Sequence, residues 1–500
     1  MSADTPAWVR DAVFYQIFPD RFAASDRVVK PGELEAWDAP PTVDGFKGGD
    51  LLGIAEHLAY LEDLGVNAIY LTPVFASASN HRYHTYDYLA VDPLLGGDAA
   101  LRELLDAAHG RGMRVVLDGV FNHTGRGFWP FHHVLEAGAA SPYKGWFHLD
   151  EAALEAGRLL LAYPPAGTPS TALGYEAWWG LPALPKLNTD EPQVREYLFG
   201  VAEHWLRFGI DGWRLDVPTE IDDEAFWQEF RERCRAICPD AYLVGEIWSV
   251  APEWVRGDRF DALMNYPLAE AILGFAGGAG LNLAIVRSHH EYAASLRRLD
   301  GPAFASRVRE LATVYDPFVV ASQLNLLGSH DAPRMRTVLG GDAARVRLAM
   351  LLQATLPGAP CIYYGDEVGL VGGNDPDCRG AFPWDETKWE PGLHECVRAL
   401  FRLRSAEPAL RDGPLTVVGG ADSAVAFERG VGVTRFVVAA NAGDTPARLD
   451  LRFADAPAGA GGHLAPIEIP GLTGIGEARI LDGRATIELA ARGGTVLRVV

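Results

Sequence analysis

The chain has 500 residues, 48% hydrophobic and 22% charged, a globular composition that excludes a disordered chain and gives room for two or three domains. Its 44 basic and 66 acidic residues leave a net charge of −22, which repels phosphate backbones and anionic lipid and speaks against a nucleic-acid or membrane partner. No apolar run approaches the ~20 residues of a bilayer span, and the N-terminal stretch lacks the charged start, apolar core and cleavage site of a secretory signal, so a cytoplasmic location is expected.

Along the chain, short β-branched or aromatic runs alternate with helical patterns. The first run is AVFYQIF at residues 12–18. NAIYLT (67–72) follows a helical stretch for which Gly65 is the predicted stop. MRVVLDGV (113–120), IDGWRLDV (210–217), AYLVGEIW (241–248), DALMNY (261–266), QLNLLGSHD (323–331) and PCIYYGDE (360–367) complete a set of eight. The periodicity switches repeatedly between two and 3.6, which predicts an α/β fold with a parallel sheet. Eight units over about 400 residues fit a (β/α)₈ TIM barrel with insertions. A doubly wound sheet is the alternative, but no Gly-rich phosphate loop follows the first strand.

Two stretches break the rhythm. Residues 122–190 are rich in Gly, Pro, His and aromatics and too long for an ordinary loop, so they read as an inserted domain after the third strand. Residues 409–500 hold short alternating strands with Gly and Asp turns, the pattern of an antiparallel β-sandwich. The predicted organisation is therefore barrel at 1–121 and 191–408, insertion at 122–190 and sandwich at 409–500. The five cysteines, Cys234, Cys238, Cys361, Cys378 and Cys396, are odd in number and irregular in spacing; they read as reduced thiols with no zinc pattern. His132 and His133 read as loop residues, not metal ligands. Trp178 and Trp179 are equally a sugar platform or packing for the insertion.

Catalytic groups of such barrels sit at the C-terminal ends of the strands. Asp118, Asp216, Glu246 and Asp331 fall there, at the third, fourth, fifth and seventh strands. Asp216 and Glu246 are one strand–helix–strand unit apart and should tip adjacent strands. Two carboxyl groups about 5–5.5 Å apart fit a retaining glycosidase, and a wider pair fits an inverting one. Arg214, two residues before Asp216, projects to the same face and keeps it ionised as a nucleophile. Glu246, without a cation near it in sequence, is expected to be raised by like-charge crowding and to act as acid/base. Asp331 with His330 would orient sugar hydroxyls, and Asn122 and His123 suit the same mouth. The many aromatics beside Gly, Pro, His and Asp fit a carbohydrate cleft.

The segments DGVFNH (118–123), GWRLDV (212–217), GEIW (245–248) and GSHD (328–331) resemble, in order, four signature regions of the α-amylase superfamily, glycoside hydrolase family 13. The resemblance implies the same roles for Asp216, Glu246 and Asp331 and places Arg214 beside the nucleophile. It adds YHTYD (83–87), similar to a YHGYW motif, which implies Tyr86 stacking on the sugar at the cleavage site with His84 and His123 bonding it. GGNDPDCR (372–379) implies Asp375 and Arg379 further up the donor side. LPKLN (184–188) is similar to the MPKLN of neopullulanases, cyclomaltodextrinases and maltogenic amylases, where Trp248 and Glu220 would line the acceptor side.

Three departures from that subgroup set further expectations. With the first strand near residue 12, the extra N-terminal β-domain of those enzymes is expected to be absent, leaving monomer and homodimer both open. The loop after the first strand keeps Asp26, with Asp50 further on, too few oxygen ligands for calcium, so no cofactor is expected. Pro218 and Thr219 stand where Ala-Asn is usual, which bears on acceptor binding. The expected activity is retaining hydrolysis of α-1,4 links in malto-oligosaccharides, cyclodextrins, pullulan or starch. A glucan transglycosylase or exo-acting α-glucosidase would use the same carboxylates. A silent glycan-binding protein on the same fold is the remote alternative.

Overall fold

In the computed structural model, residues 5–432, 434–453 and 462–500 are described. Eight strands build its centre: β1 (Phe14–Ile17), β2 (Ala68–Leu71), β3 (Arg114–Gly119), β4 (Gly212–Leu215), β5 (Tyr242–Gly245), β6 (Ala262–Leu263), β7 (Leu324–Leu326) and β8 (Ala359–Tyr363). They lie side by side in the order β6-β5-β4-β3-β2-β1-β8-β7, each pair parallel. A parallel bridge between Met264 and Leu324 joins β6 to β7 and closes the ring. The TIM barrel is therefore formed, and the doubly wound alternative is excluded.

The strands carry apolar side chains on both faces because both faces are buried. Phe14, Ala68, Tyr70, Val116, Tyr242, Val244, Met264 and Cys361 fill the interior, which is packed and is not a pore. The alternate residues, Tyr15, Ile69, Leu117 and Leu243 among them, meet the surrounding helices. Helix Gly97–His109 shows how those helices are specified: Ala100, Leu101, Leu104, Leu105 and Ala108 form its buried stripe. Helix Leu58–Leu64 ends at Gly65, whose φ of 92° is the left-handed turn that stops it. Two strands are shorter than their sequence runs. DALMNY contributes only Ala262–Leu263, and the seventh strand ends at Leu326, so Asp331 stands five residues past it on a loop.

Residues 122–190 emerge at the C-terminal end of β3 as short helices and isolated bridges, held by packing of Phe128, Phe131, Trp146, Phe147 and Tyr175. His132 and His133 ride on helix Trp129–Ala137, not on a loop; their spacing from Pro130 and Val134 places them on its outer side, near Glu136 and Ser141. After the barrel, a six-stranded antiparallel sheet packs with the two-stranded ribbon Ala447–Arg452/Arg484–Leu489 around Val418, Val437, Leu449, Leu451, Ile487 and Leu497. All five cysteines are free thiols, and all but Cys238 are buried.

Candidate active site

Strand register brings the acidic residues together. Arg214 on β4 lies opposite Asp118 on β3, and Leu215 lies opposite Gly245 on β5. Asp216 and Glu246 are therefore the next cross-strand neighbours at the barrel's C-terminal mouth. The Glu246 amide, donating to Leu215 O at 3.0 Å, fixes that pairing. The Arg214 guanidinium is fully buried between them, 2.9 Å from Asp118, 2.8 Å from Asp216 and 2.9 Å from Glu246. A buried cation of this kind is tolerable only because carboxylates surround it; they hold its pKa above the usual arginine value against the opposing effect of burial.

This geometry corrects two expectations, the surroundings of Glu246 and the expectation that Arg214 alone keeps Asp216 ionised. Glu246 does have a cation beside it, the same Arg214 that pairs with Asp216. Burial, ahead of crowding, pushes Glu246 above its ordinary range, and it pushes Asp216 up as well, with Arg214 pulling both back. Three carboxyl groups share one guanidinium in a poorly solvated site, so the Asp216–Glu246 pair holds a proton more tightly than ordinary carboxyls do, and that tendency belongs to the pair.

The backbone after the nucleophile position is unusual. Val217 adopts φ 35° and ψ 53°, a left-handed conformation that a β-branched residue avoids. The turn aims the Val217 N–H at Glu246 Oε2, 3.1 Å away.

A second set of bonds holds the opposite side. Gln16 Nε2 lies 2.9 Å from His330 Nδ1, and His330 Nε2 lies 2.9 Å from Asp331 Oδ2 and 2.6 Å from the Tyr83 hydroxyl. Tyr83 stacks on the same imidazole, ring centroids 5.2 Å apart and 10° from parallel, and its hydroxyl donates to Asp118 at 2.8 Å. Arg379 donates from Nε to His330 O at 2.8 Å, pairs with Asp375 at 2.9 Å and reaches Asp331 at 3.4 Å. Burial alone would raise Asp331, but His330 and Arg379 overcome it and hold the carboxyl far below the usual range.

Above these groups opens a cleft of about 500 Å³. Asp216, Glu246, Asp331, His84, His123, Trp248, Asp375 and Arg379 line it. Arg214, Asp118 and Asn122 are buried beneath or behind it and His330 stands behind Asp331, so these four hold other site groups in place. Two expected residues are elsewhere. Tyr86 does not line the cleft; it is 37% exposed and its ring lies over Gly127. Tyr83 and His81 line the cleft instead. The reason is local: Arg82 is left-handed at φ 60°, which turns the chain just before the strand Thr85–Val91 and sends Tyr83 inward. Glu220 sits on an exposed turn 3.6 Å from Lys186, also off the cleft wall.

Other site members carried no motif. Tyr70 donates to Asp118 at 2.6 Å from inside the barrel, and Tyr266 stacks under Trp248 at 3.5 Å. Alternation along β2 places Tyr70 inside, and this was the available signal for it. Tyr266 closes the run DALMNY, and its place at a strand end was the available signal for it.

The loop after β1 does not fit calcium. Asp26 is exposed, and Asp50 is buried with its oxygens taken by the amides of Gly53 and Ser25 and by the Lys30 ammonium at 3.0 Å. Lys30 also donates to Leu94 O at 2.6 Å, so a side-chain cation already neutralises the Asp50 carboxylate. Among the described residues no group of three or more His, Cys, Asp or Glu could hold a metal ion, and no helix is long and apolar enough to cross a membrane.

Residues 16–400 match the α-amylase catalytic-domain family. The chain is 45% identical over 419 residues to a cyclomaltodextrinase of Geobacillus thermopakistaniensis, a match that covers 83% of this chain and 66% of that protein. It thus spans about two thirds of the length of such curated relatives. Among solved structures it is 47% identical to a protein of Thermus thermophilus, with TM-score 0.90 and coverage of 98% and 100% of the two chains. It is 44% identical to an acarbose-soaked debranching enzyme of Nostoc punctiforme, with TM-score 0.85 and full coverage of both chains.

Proposed function

This chain belongs to the α-amylase family, and on that premise we propose that it is a retaining α-glucan hydrolase acting on α-1,4 links of malto-oligosaccharides, cyclodextrins, pullulan or starch. The observation that carries the reading is the single buried guanidinium of Arg214 shared by Asp118, Asp216 and Glu246 at the barrel mouth. Asp216 attacks the anomeric carbon as Glu246 gives its proton to the departing oxygen. The glycosidic bond breaks and an ester to Asp216 forms. Glu246, now a carboxylate, takes a proton from water, and that oxygen displaces Asp216 from the same carbon. Two inversions return the α configuration.

The pair's raised affinity for a proton suits this division. Positive charge developing on the sugar beside Asp216 favours its ionised form and leaves the proton on Glu246. Asp331, held ionised by His330 and Arg379, adds a fixed negative charge that stabilises the same transition state. The reading includes no metal: Lys30 supports it by occupying the Asp50 carboxylate. It places the enzyme in the cytoplasm, as a monomer or homodimer, and the five free thiols support that setting.

The test is incubation with maltotriose, maltoheptaose, β-cyclodextrin, pullulan and soluble starch without added calcium, with Glu246→Gln as control and the product anomer read by NMR. α-Configured products from the wild type alone are expected. β-Configured products would overturn the retaining mechanism, and no turnover on any glucan would overturn the substrate class. Longer oligosaccharides beside the short ones would make the enzyme a transglycosylase.

A further inference from the structure

The inserted segment carries a feature that bond cleavage itself does not use. Trp178 and Trp179 stand on the short turn Trp178–Gly180, rings stacked at 4.7 Å and 11°. Trp178 in turn lies flat on His123, at 5.0 Å and 14°. All three rings line the cleft, so the stack forms a ladder from the floor beside the reaction centre to the rim. Its last ring, Trp179, is 73% exposed.

Two unfavourable terms meet at this residue. A large apolar ring is left largely in water. Its backbone also sits at φ 51° and ψ 20°, where Gly or Asn would be at ease and a bulky residue is not. Packing of the insertion does not account for them, because Trp178 already contacts His123 and Trp179 lies outside it. A strained residue presenting an open aromatic face to a cleft is a reason to look for a ligand. The apolar wall continues through Leu181, 45% exposed and on the same cleft.

We propose that the outer face of Trp179 is a platform for a glucosyl ring of the substrate chain, beyond the units held at Asp216 and Glu246. Sugar rings present an apolar face of C–H groups that packs on an aromatic ring. The proposal rests on the α-glucan reading above and deepens it: the enzyme recognises chain extension at the rim of its insertion.

The experiment compares kcat/KM for maltoheptaose and maltotriose in the wild type and in Trp179→Ala, Trp179→Phe and Trp179→Gly. The ratio of the two values is expected to fall about tenfold in the Ala and Gly variants, the loss of one well-placed aromatic contact. Phe should restore most of it. Gly suits the left-handed backbone, so that variant folds even if Ala does not, and its Tm should not fall. In Glu246→Gln protein, maltoheptaose should quench tryptophan fluorescence, and the added change Trp179→Phe should remove most of the quench. An unchanged ratio in a folded Trp179→Gly variant overturns the platform alone. A wild type that turns over neither oligosaccharide removes the α-glucan reading and the platform with it, and is seen before any Trp179 variant is compared.

Discussion

The barrel mouth and the C-terminal sandwich each contain three non-glycine residues with a left-handed backbone among the described residues, but for different reasons. In the sandwich they are Asp422, Asp482 and Arg492, each at a turn leading into a strand. A tight hairpin needs positive φ, and Asp tolerates it. In the catalytic part they are Arg82, Trp179 and Val217. Val and Trp gain nothing locally from this conformation, which costs about 1–3 kcal/mol per residue. Each aims something at the cleft: Tyr83 beside Arg82, the exposed indole of Trp179, and the Val217 N–H on Glu246. The sandwich uses left-handed residues to reverse the chain; the mouth uses them to orient chemistry.

The strongest way to sharpen that contrast is to remove chemistry at the mouth while leaving the fold. Glu246→Gln should lower kcat by about 10³-fold or more, the loss of an acid and base together, with little change in Tm. Tyr83→Phe removes the hydroxyl bonded to Asp118 and should lower kcat/KM about 10²-fold, whereas Tyr86→Phe should stay within about twofold. Equal effects of the two would mean that Arg82 does not sort them as described. Val217→Gly relieves the strained backbone but loosens the N–H that meets Glu246; kcat should fall about tenfold while stability moves by less than about 1 kcal/mol. The smallest effect belongs to Asp482→Gly, which should shift stability by a few tenths of a kcal/mol and leave kcat unchanged. A loss of activity there would break the comparison.

Acid–base behaviour separates mouth from interior in the same way. At the mouth, burial raises the Asp216–Glu246 pair, so kcat/KM should fall with rising pH on a limb lying above the ordinary carboxylate range. Behind β8, Glu367 accepts from Tyr15 at 2.6 Å and Tyr60 at 2.7 Å, and burial lifts it from the usual 4.5 to about 7. A carboxyl raised in the fold contributes stability below its unfolded value that is lost as pH climbs through the folded one. Between pH 4.5 and about 7 the protein should therefore lose stability, and Glu367→Gln should flatten that part of a Tm-against-pH curve while leaving the activity limb in place.

The architecture was legible because each strand–helix unit repeats one local pattern, and because strand register carries acidic residues such as Asp118, Asp216 and Glu246 to one end. Contacts that cross between units were less legible. Arg214 reaching Glu246 depends on neighbouring strands, so a reading along β4 alone finds only its pairing with Asp216. Tyr83 and Tyr86 share one short motif, and only the left-handed turn at Arg82 decides between them. The seventh strand looked longer than it is because LGSHD continues an extended pattern into a loop, where Asp331 is placed by Arg379 and His330 and not by a sheet.

The Lys30 ammonium on Asp50 has a consequence for how the long loop after β1 is held shut. A dissolved divalent ion would hold that loop only while its free concentration exceeded its dissociation constant, and dilution or a chelator would release it. A cation carried on the chain cannot diffuse away; its local concentration is set by the length of the loop and not by the medium. Closure of the loop thus becomes a unimolecular property, the same at any protein dilution, and deprotonation of Lys30, which burial brings to lower pH than for a free lysine, loosens it.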